Sequence, residues 1–231
     1  MAWVTRRRPD RPMCWRRSAL ATTSLFHPRD AARMAFDSSK SLPSLGFLAV
    51  LERPDQGLMG GFLVVSTRGR PLEFRCTTPV APSRAQEILY GAALRPHLHS
   101  EVIGHPLLAG ADLCPPLVLV NDRDFLGLAL MTETCIAEVH PIENGTVAAE
   151  TPAAAESEEP SARRSEFALG GCRITLADTC RLDDASRQSL DELSRHVPLI
   201  EPFERIRTAL DEVLAASATD ERSDDFSPFA A

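Results

Sequence analysis

The pattern of apolar and polar residues predicts three successive strands in the first half of the chain. The runs at 45–51 and 61–66 are continuously apolar, which is typical of strands that are buried on both faces. Residues 72–75 instead alternate between apolar and charged side chains, as in a strand with one face in water. Turn residues at 52–57 and at Gly69 separate these runs, because proline presets φ and glycine accepts positive φ.

A helix is predicted to follow the third strand. Ser83 lies three residues before Gln86, which is the spacing of a capping box, where each side chain binds the other residue's free backbone N–H. We therefore expect a helix from Arg84. Gly91 and Pro96 predict that this helix is short or kinked.

The second half of the chain predicts two small hairpins and a pair of helices. Apolar runs at 117–120 and 125–131 flank a polar loop and predict one hairpin, and 134–139 adds another strand. Two glycines at 170–171 divide a further apolar segment into a second hairpin. The C-terminal helical pair ends in an amphipathic helix after Pro202.

These elements predict an α+β fold whose sheet is mostly antiparallel, with about five to seven strands and one or two central helices. The organisation is a disordered basic leader at 1–44, an α+β core at 45–140, a disordered Ala/Glu/Pro linker at 141–165, a small hairpin plus two helices completing the core at 166–216, and a disordered acidic tail at 217–231. Whether the two folded parts form one domain or two is open.

Charge is distributed unevenly along the chain. Residues 1–33 carry eight arginines and two aspartates, a formal charge of +6, and subtraction from the net −7 leaves −13 on residues 34–231. An acidic body disfavours a general phosphate-binding surface. The leader has several interpretations: a twin-arginine export signal, which lacks a following apolar run, an organelle transit peptide, a basic arm that binds nucleic acid phosphates, a segment upstream of a true start at Met34, or a solvated tail.

The predicted compartment follows from the apolar runs and the cysteines. No run approaches the roughly 20 apolar residues that a membrane-spanning helix needs, so we expect no membrane association. Six cysteines lie far apart without a Cys-x-x-Cys pair, and we expect buried, reduced thiols in a cytoplasmic protein.

The histidines supply the candidate chemistry. His97, His99 and His105 lie close together in sequence, and imidazoles at such spacing can bind zinc. Cys76, Cys114 or Asp112 could supply the remaining ligand, and Cys76 is also a candidate thiol nucleophile. A metal- or thiol-dependent hydrolase is therefore one alternative. The sequence lacks both the paired ligands of structural zinc sites and His-Glu-x-x-His, so three histidines on a partly wet surface is the competing interpretation.

Since no catalytic motif is present, the favoured hypothesis is a non-enzymatic module that binds a protein, either itself or another, without a cofactor. The β-β-β-α-β-β order over 45–140 is similar to small sensory and scaffold modules such as PAS-like, profilin-like or roadblock-like domains. Nucleic acid is an expected partner only if the arginine-rich arm is translated, with Met1 and not Met34 as the start. Ligand, oligomeric state and biological process stay open.

Overall fold

One mixed β-sheet organises the computed structural model, which describes residues 23–24, 43–142 and 165–223. Its strands are β1 Thr23–Ser24, β2 Ser44–Arg53, β3 Gly57–Ser66, β4 Pro71–Cys76, β5 Leu117–Val120, β6 Cys135–Pro141, β7 Glu166–Leu169 and β8 Cys172–Leu176. They lie in the order β1-β4-β3-β2-β5-β6-β8-β7. Within this described sheet only β2–β5 and β5–β6 are parallel pairs, so the predicted mostly antiparallel α+β fold is confirmed.

The first three long strands form the antiparallel meander that the sequence predicts. β2 and β3 pair along their full length, from Ser44 opposite Ser66 to Arg53 opposite Gly57. The two turns of the meander contain Gly57 at φ 87° and Gly69 at φ 75°. Glycine reaches these positive φ values without the steric cost of a Cβ, and the predicted turns are confirmed.

A broken helical segment connects β4 to β5. It consists of α1 Arg84–Tyr90, a 3₁₀ turn Gly91–Ala93, α2 Leu94–His97, a π-helical segment Leu98–Gly104 and α3 His105–Gly110. The predicted capping box is present: the Ser83 hydroxyl accepts the N–H of Gln86 at 3.3 Å, and the Gln86 side chain accepts the N–H of Ser83 at 2.9 Å. Gly91 ends α1 at φ 52°, and Pro106 removes a backbone donor just after the π-helical segment.

The predicted hairpin that starts with β5 is wrong. Arg123–Leu130 forms a 3₁₀ helix, and β5 instead pairs in parallel with β2 and β6. Phe125 and Leu128 are buried three residues apart, which is the repeat of a 3₁₀ helix and not the two-residue repeat of a strand. Asp122 begins this helix, because its carboxylate accepts the N–H of Asp124 at 3.0 Å.

The C-terminal part completes the same sheet. β7 and β8 form the predicted hairpin around Gly170 and Gly171, which have φ values of 58° and 75°. β8 then pairs with β6, so this part joins the core as expected. Two helices follow, α4 Asp184–His196 and α5 Glu201–Ser223, and the predicted C-terminal helical pair is confirmed.

Helices cover both faces of the central strands. One face, which includes Phe47, packs against α4 and α5. The opposite face, which includes Phe62, packs against the π-helical segment, α3 and the 3₁₀ helix. α5 lies so close to β3 that a Cβ on Gly61 would stand 2.5 Å from Cγ2 of Ile206. The continuous apolar runs of β2 and β3 therefore reflect burial on both sides, as predicted.

The expected disordered segments lie largely outside the described residues. This applies to the leader at 1–44, to most of the linker at 141–165 and to the end of the tail at 217–231. Helix α5 continues beyond residue 217, where the tail was expected to begin. Among the described helices, none has the length and apolar character needed to cross a membrane.

Gly61→Ala is expected to lower the free energy of unfolding by about 1–3 kcal/mol, because the added methyl overlaps side chains of α5. Urea denaturation of the variant and the parent measures this loss.

Ile206→Ala provides the control for this mechanism. It removes Cγ2, so the double variant should lose less stability than the sum of the two single losses. Strictly additive losses would show that overlap with Ile206 is not the cause.

Candidate functional site

The three candidate histidines do not share a site. His97 stacks on Tyr90 with ring centroids 4.5 Å apart, and its Nδ1 lies 3.2 Å from Glu101. His99 is buried, and its ring faces Phe125 at 5.0 Å. Residues two apart on a helix point in opposite directions, which separates the first two imidazoles. His105 lies one turn further on, where it begins α3.

His99 instead approaches two aspartates that follow β5. Its Nε2 lies 3.5 Å from Oδ2 of Asp122, and its Nδ1 lies 2.9 Å from the backbone oxygen of Arg95. Across the described part of the chain, the one group of three possible metal ligands is His99, Asp122 and Asp124, whose ligand atoms lie within 4.8 Å of one another. The structure thus brings together one predicted histidine and two carboxylates that sequence reasoning missed.

The guanidinium of Arg95 binds these same carboxylates. Its Nε lies 3.0 Å from Oδ2 of Asp124, its Nη2 lies 3.1 Å from Oδ2 of Asp122, and its Nη1 lies 3.2 Å from Oε2 of Glu52. The hydrogen bond to Asp124, followed by the pairs with Asp122 and Glu52, raises the pKa of Arg95. We call Glu52, Arg95, His99, Asp122 and Asp124 the Arg95 cluster.

Local chemistry fixes the carboxylates of the cluster. Asp122 directly follows β5 and caps the 3₁₀ helix, while the Ser100 hydroxyl donates to the backbone oxygen of Asp124 at 2.7 Å. The only sequence signal for these two aspartates was a polar stretch directly after an apolar strand, and such a stretch is equally typical of an ordinary turn. Arg95 and Glu52 come from distant segments, so no local pattern could place them here.

Charge balance decides what the Arg95 cluster can do. One oxygen of each carboxylate, Oδ2 of Asp122 and Oδ2 of Asp124, already accepts a hydrogen bond from Arg95, so the guanidinium competes with a divalent cation for these groups. The guanidinium therefore supplies the positive charge that a metal would supply. One arginine against three carboxylates leaves the cluster with a formal charge of −2 when His99 is neutral.

The cysteines give little support to a thiol nucleophile at Cys76. That residue is 1% exposed, and burial raises the pKa of its thiol. The described cysteines that are not disulfide-bonded are Cys76, Cys135, Cys172 and Cys180. Cys114 is disulfide-bonded, so the expectation that all six cysteines are reduced is wrong for this residue.

A second candidate site is the outer surface of α1. This helix contains no buried residue, and its large apolar side chains face solvent: Ile88 is 67% exposed, Leu89 82% and Tyr90 40%. We call these three residues the α1 ridge. Scattered exposed apolar side chains are normal on protein surfaces, but these three follow one another on a well-capped helix, so Leu89 lies between Ile88 and Tyr90 and a partner can cover it together with either neighbour.

Comparison with known proteins leaves the function to be argued from these residues. No protein-family model matches the chain, and no curated protein matches it. Among solved structures, the crystal structure of human ENDOV is similar, with a TM-score of 0.41 and 16% sequence identity over 77% of this chain and 86% of that chain. A likeness of this degree carries no argument about what the chain does.

Arg95→Ala is expected to lower the free energy of unfolding by about 1 kcal/mol, because it leaves three carboxylates without their shared counter-charge. It should also create a divalent-cation site, so millimolar Mn²⁺ should raise the melting temperature of the variant and not that of the parent.

Arg84→Ala is the matched control. Arg84 lies on α1, next to the helix that carries Arg95, and forms an exposed ion pair with Glu87 of the same helix α1. It should change neither stability nor the response to Mn²⁺. If Mn²⁺ stabilised the parent as strongly as the Arg95 variant, the guanidinium would not be what excludes the cation.

Proposed function

We propose that this chain is a non-enzymatic protein-interaction module that binds a short segment of another protein on the α1 ridge. The observation that carries the proposal is the contrast within α1, which buries no residue and yet exposes Ile88 and Leu89 by 67% and 82%. Burying such side chains against a partner releases free energy at roughly 25 cal/mol per Å² of apolar surface.

Helix α1 is held in shape without help from the core. The capping box of Ser83 and Gln86 fixes its first turn, and an ion pair joins Arg84 to Glu87 at 2.8 Å. At its other end the Tyr90 ring stacks on His97 of α2. A preformed helix loses little conformational freedom on binding, so more of the contact energy contributes to affinity.

The size of the ridge favours a short segment over a second folded surface. A stable interface buries about 800 Å² on each partner. Even a fully exposed aromatic side chain presents only roughly 150–250 Å². Three side chains, one of them 40% exposed, fall well below the area that a stable dimer of this chain would need.

Charge favours a basic partner. α2 contacts α1 and carries Arg95, so the Arg95 cluster with its formal charge of −2 belongs to the neighbouring surface. Glu101, which pairs with His97 beside the ridge, has a side chain that is 53% exposed. An apolar segment flanked by lysine or arginine would complement both features.

Neither alternative function gains comparable support. The hydrolase hypothesis named His97, His99, His105 and Cys76, but the described geometry separates His97 from His99 and keeps the Cys76 thiol protonated. The nucleic-acid hypothesis depends on the arginine arm, which lies outside the described residues and stays a prediction.

A photo-reactive amino acid at position 89 tests the proposal in cells that naturally express the protein. We expect cross-links into one short segment of another protein. The corresponding synthetic peptide should bind the full chain with micromolar affinity, and Leu89→Asp should weaken that binding at least about tenfold. The variant should keep its melting temperature, because Leu89 is 82% exposed.

Position 130 supplies the control, because Leu130 is 80% exposed on a different element. A probe there should not reach the same peptide. Equal cross-linking from both positions, or undiminished peptide binding by Leu89→Asp, would contradict the proposal. Cross-links only to a second copy of the chain would replace it with self-association.

A further inference from the structure

Two cysteines from distant parts of the chain lie close together. Cys135 begins β6 and is 9% exposed, and Cys180 follows β8 in a half-buried position. Cys180 Sγ accepts the backbone N–H of Ile136, the residue after Cys135, at 3.0 Å. The backbone holds them together, since the N–H of Ala177 donates to Ile136 at 3.0 Å and the N–H of Cys180 donates to Ala177 at 2.8 Å.

The surroundings favour a thiolate on Cys180. The hydrogen bond from Cys135 lowers the pKa of Cys180, and the bond from Ile136 adds to this effect against the opposing effect of burial. The pKa of Cys135 is raised, because its proton bridges the two sulfurs and because it is buried.

A surface pocket lies against Cys135, and the neighbouring Cys180 is itself partly exposed. The pocket has a volume of about 330 Å³, and its lining includes Cys135, Arg181 and Asp183. Arg181 is exposed, so a cation stands beside the mouth of the pocket. The other two thiol cysteines differ, because Cys76 and Cys172 are 1% and 3% exposed and burial raises the pKa of both thiols.

We propose that Cys135 and Cys180 form a redox-active dithiol that small hydroperoxides convert to a disulfide. Cys180 Sγ attacks one oxygen of the hydroperoxide, the O–O bond breaks, and the second oxygen leaves as hydroxide or alkoxide and takes a proton from water. The sulfenic acid so formed is attacked by Cys135, whose proton leaves with the sulfenic hydroxyl as water. Two electrons pass from the sulfurs to the hydroperoxide.

The geometry suits the second step. Cys180 Sγ lies 3.0 Å from the backbone nitrogen of Ile136, the residue after Cys135, which brings the two side chains within reach of the roughly 2.05 Å bond of a disulfide. The new bond would cross-link the loop after β8 to the first residue of β6. It would thereby fasten the segment that leads into α4 to the centre of the sheet.

Peptide mapping of the full-length protein tests the proposal directly. After reduction, stoichiometric hydrogen peroxide should join the peptides of Cys135 and Cys180 and remove two hydrogen atoms from the intact mass. Iodoacetamide at pH 7 should alkylate Cys180 at least about tenfold faster than Cys172, because only a thiolate reacts. Cys114 is followed separately in the same map, since the reduction step also opens its disulfide.

Variants identify the roles of the two sulfurs. Cys135→Ser should stop disulfide formation and leave a sulfenic acid on Cys180 that dimedone traps, whereas Cys172→Ser should leave the reaction unchanged. The parent protein alone can overturn the proposal, even if a variant does not fold. The proposal would be overturned if Cys180 were alkylated no faster than Cys172, or if peroxide treatment never linked the two peptides.

Discussion

The burial of β2 and β3 on both faces is the constraint on which the rest of the structure depends. Their apolar side chains alternate between two faces, and each face needs its own cover. α4 and α5 supply one cover, and the broken helical segment with the 3₁₀ helix supplies the other. The break in the second cover matters for function, because it leaves α1 outside the core while α2 lies beside the carboxyl end of β5.

The Arg95 cluster and the dithiol show two ways in which the sheet gathers distant residues. Parallel pairing of β5 between β2 and β6 places Asp122 beside residues from β2 and from the helical segment. Antiparallel pairing of β8 with β6 brings the loop that contains Cys180 back to Cys135. In the first case a guanidinium neutralises part of the acidic charge, and in the second two cysteines about 45 residues apart become neighbours.

Local chemistry allowed much of the fold to be predicted, and its limits explain the errors. Gly69 and the pair at 170–171 marked hairpins, because positive φ is a property of single residues. Ser83 and Gln86 marked a helix start for a similar reason. The parallel position of β5 and the grouping of His99 with two aspartates depend on contacts across tens of residues. No periodicity within one segment records such contacts.

The mixed sheet also has a consequence for the order in which the chain acquires its structure. β2 meets β3 across a short turn, but its other neighbour, β5, begins about 70 residues later, where Gly46 pairs with Val118. Closing that loop costs more entropy than closing the turns of the meander. We therefore expect the meander of β2, β3 and β4 to form first, and β5 to dock as a late step that exposes the free edge of β2 until it is complete.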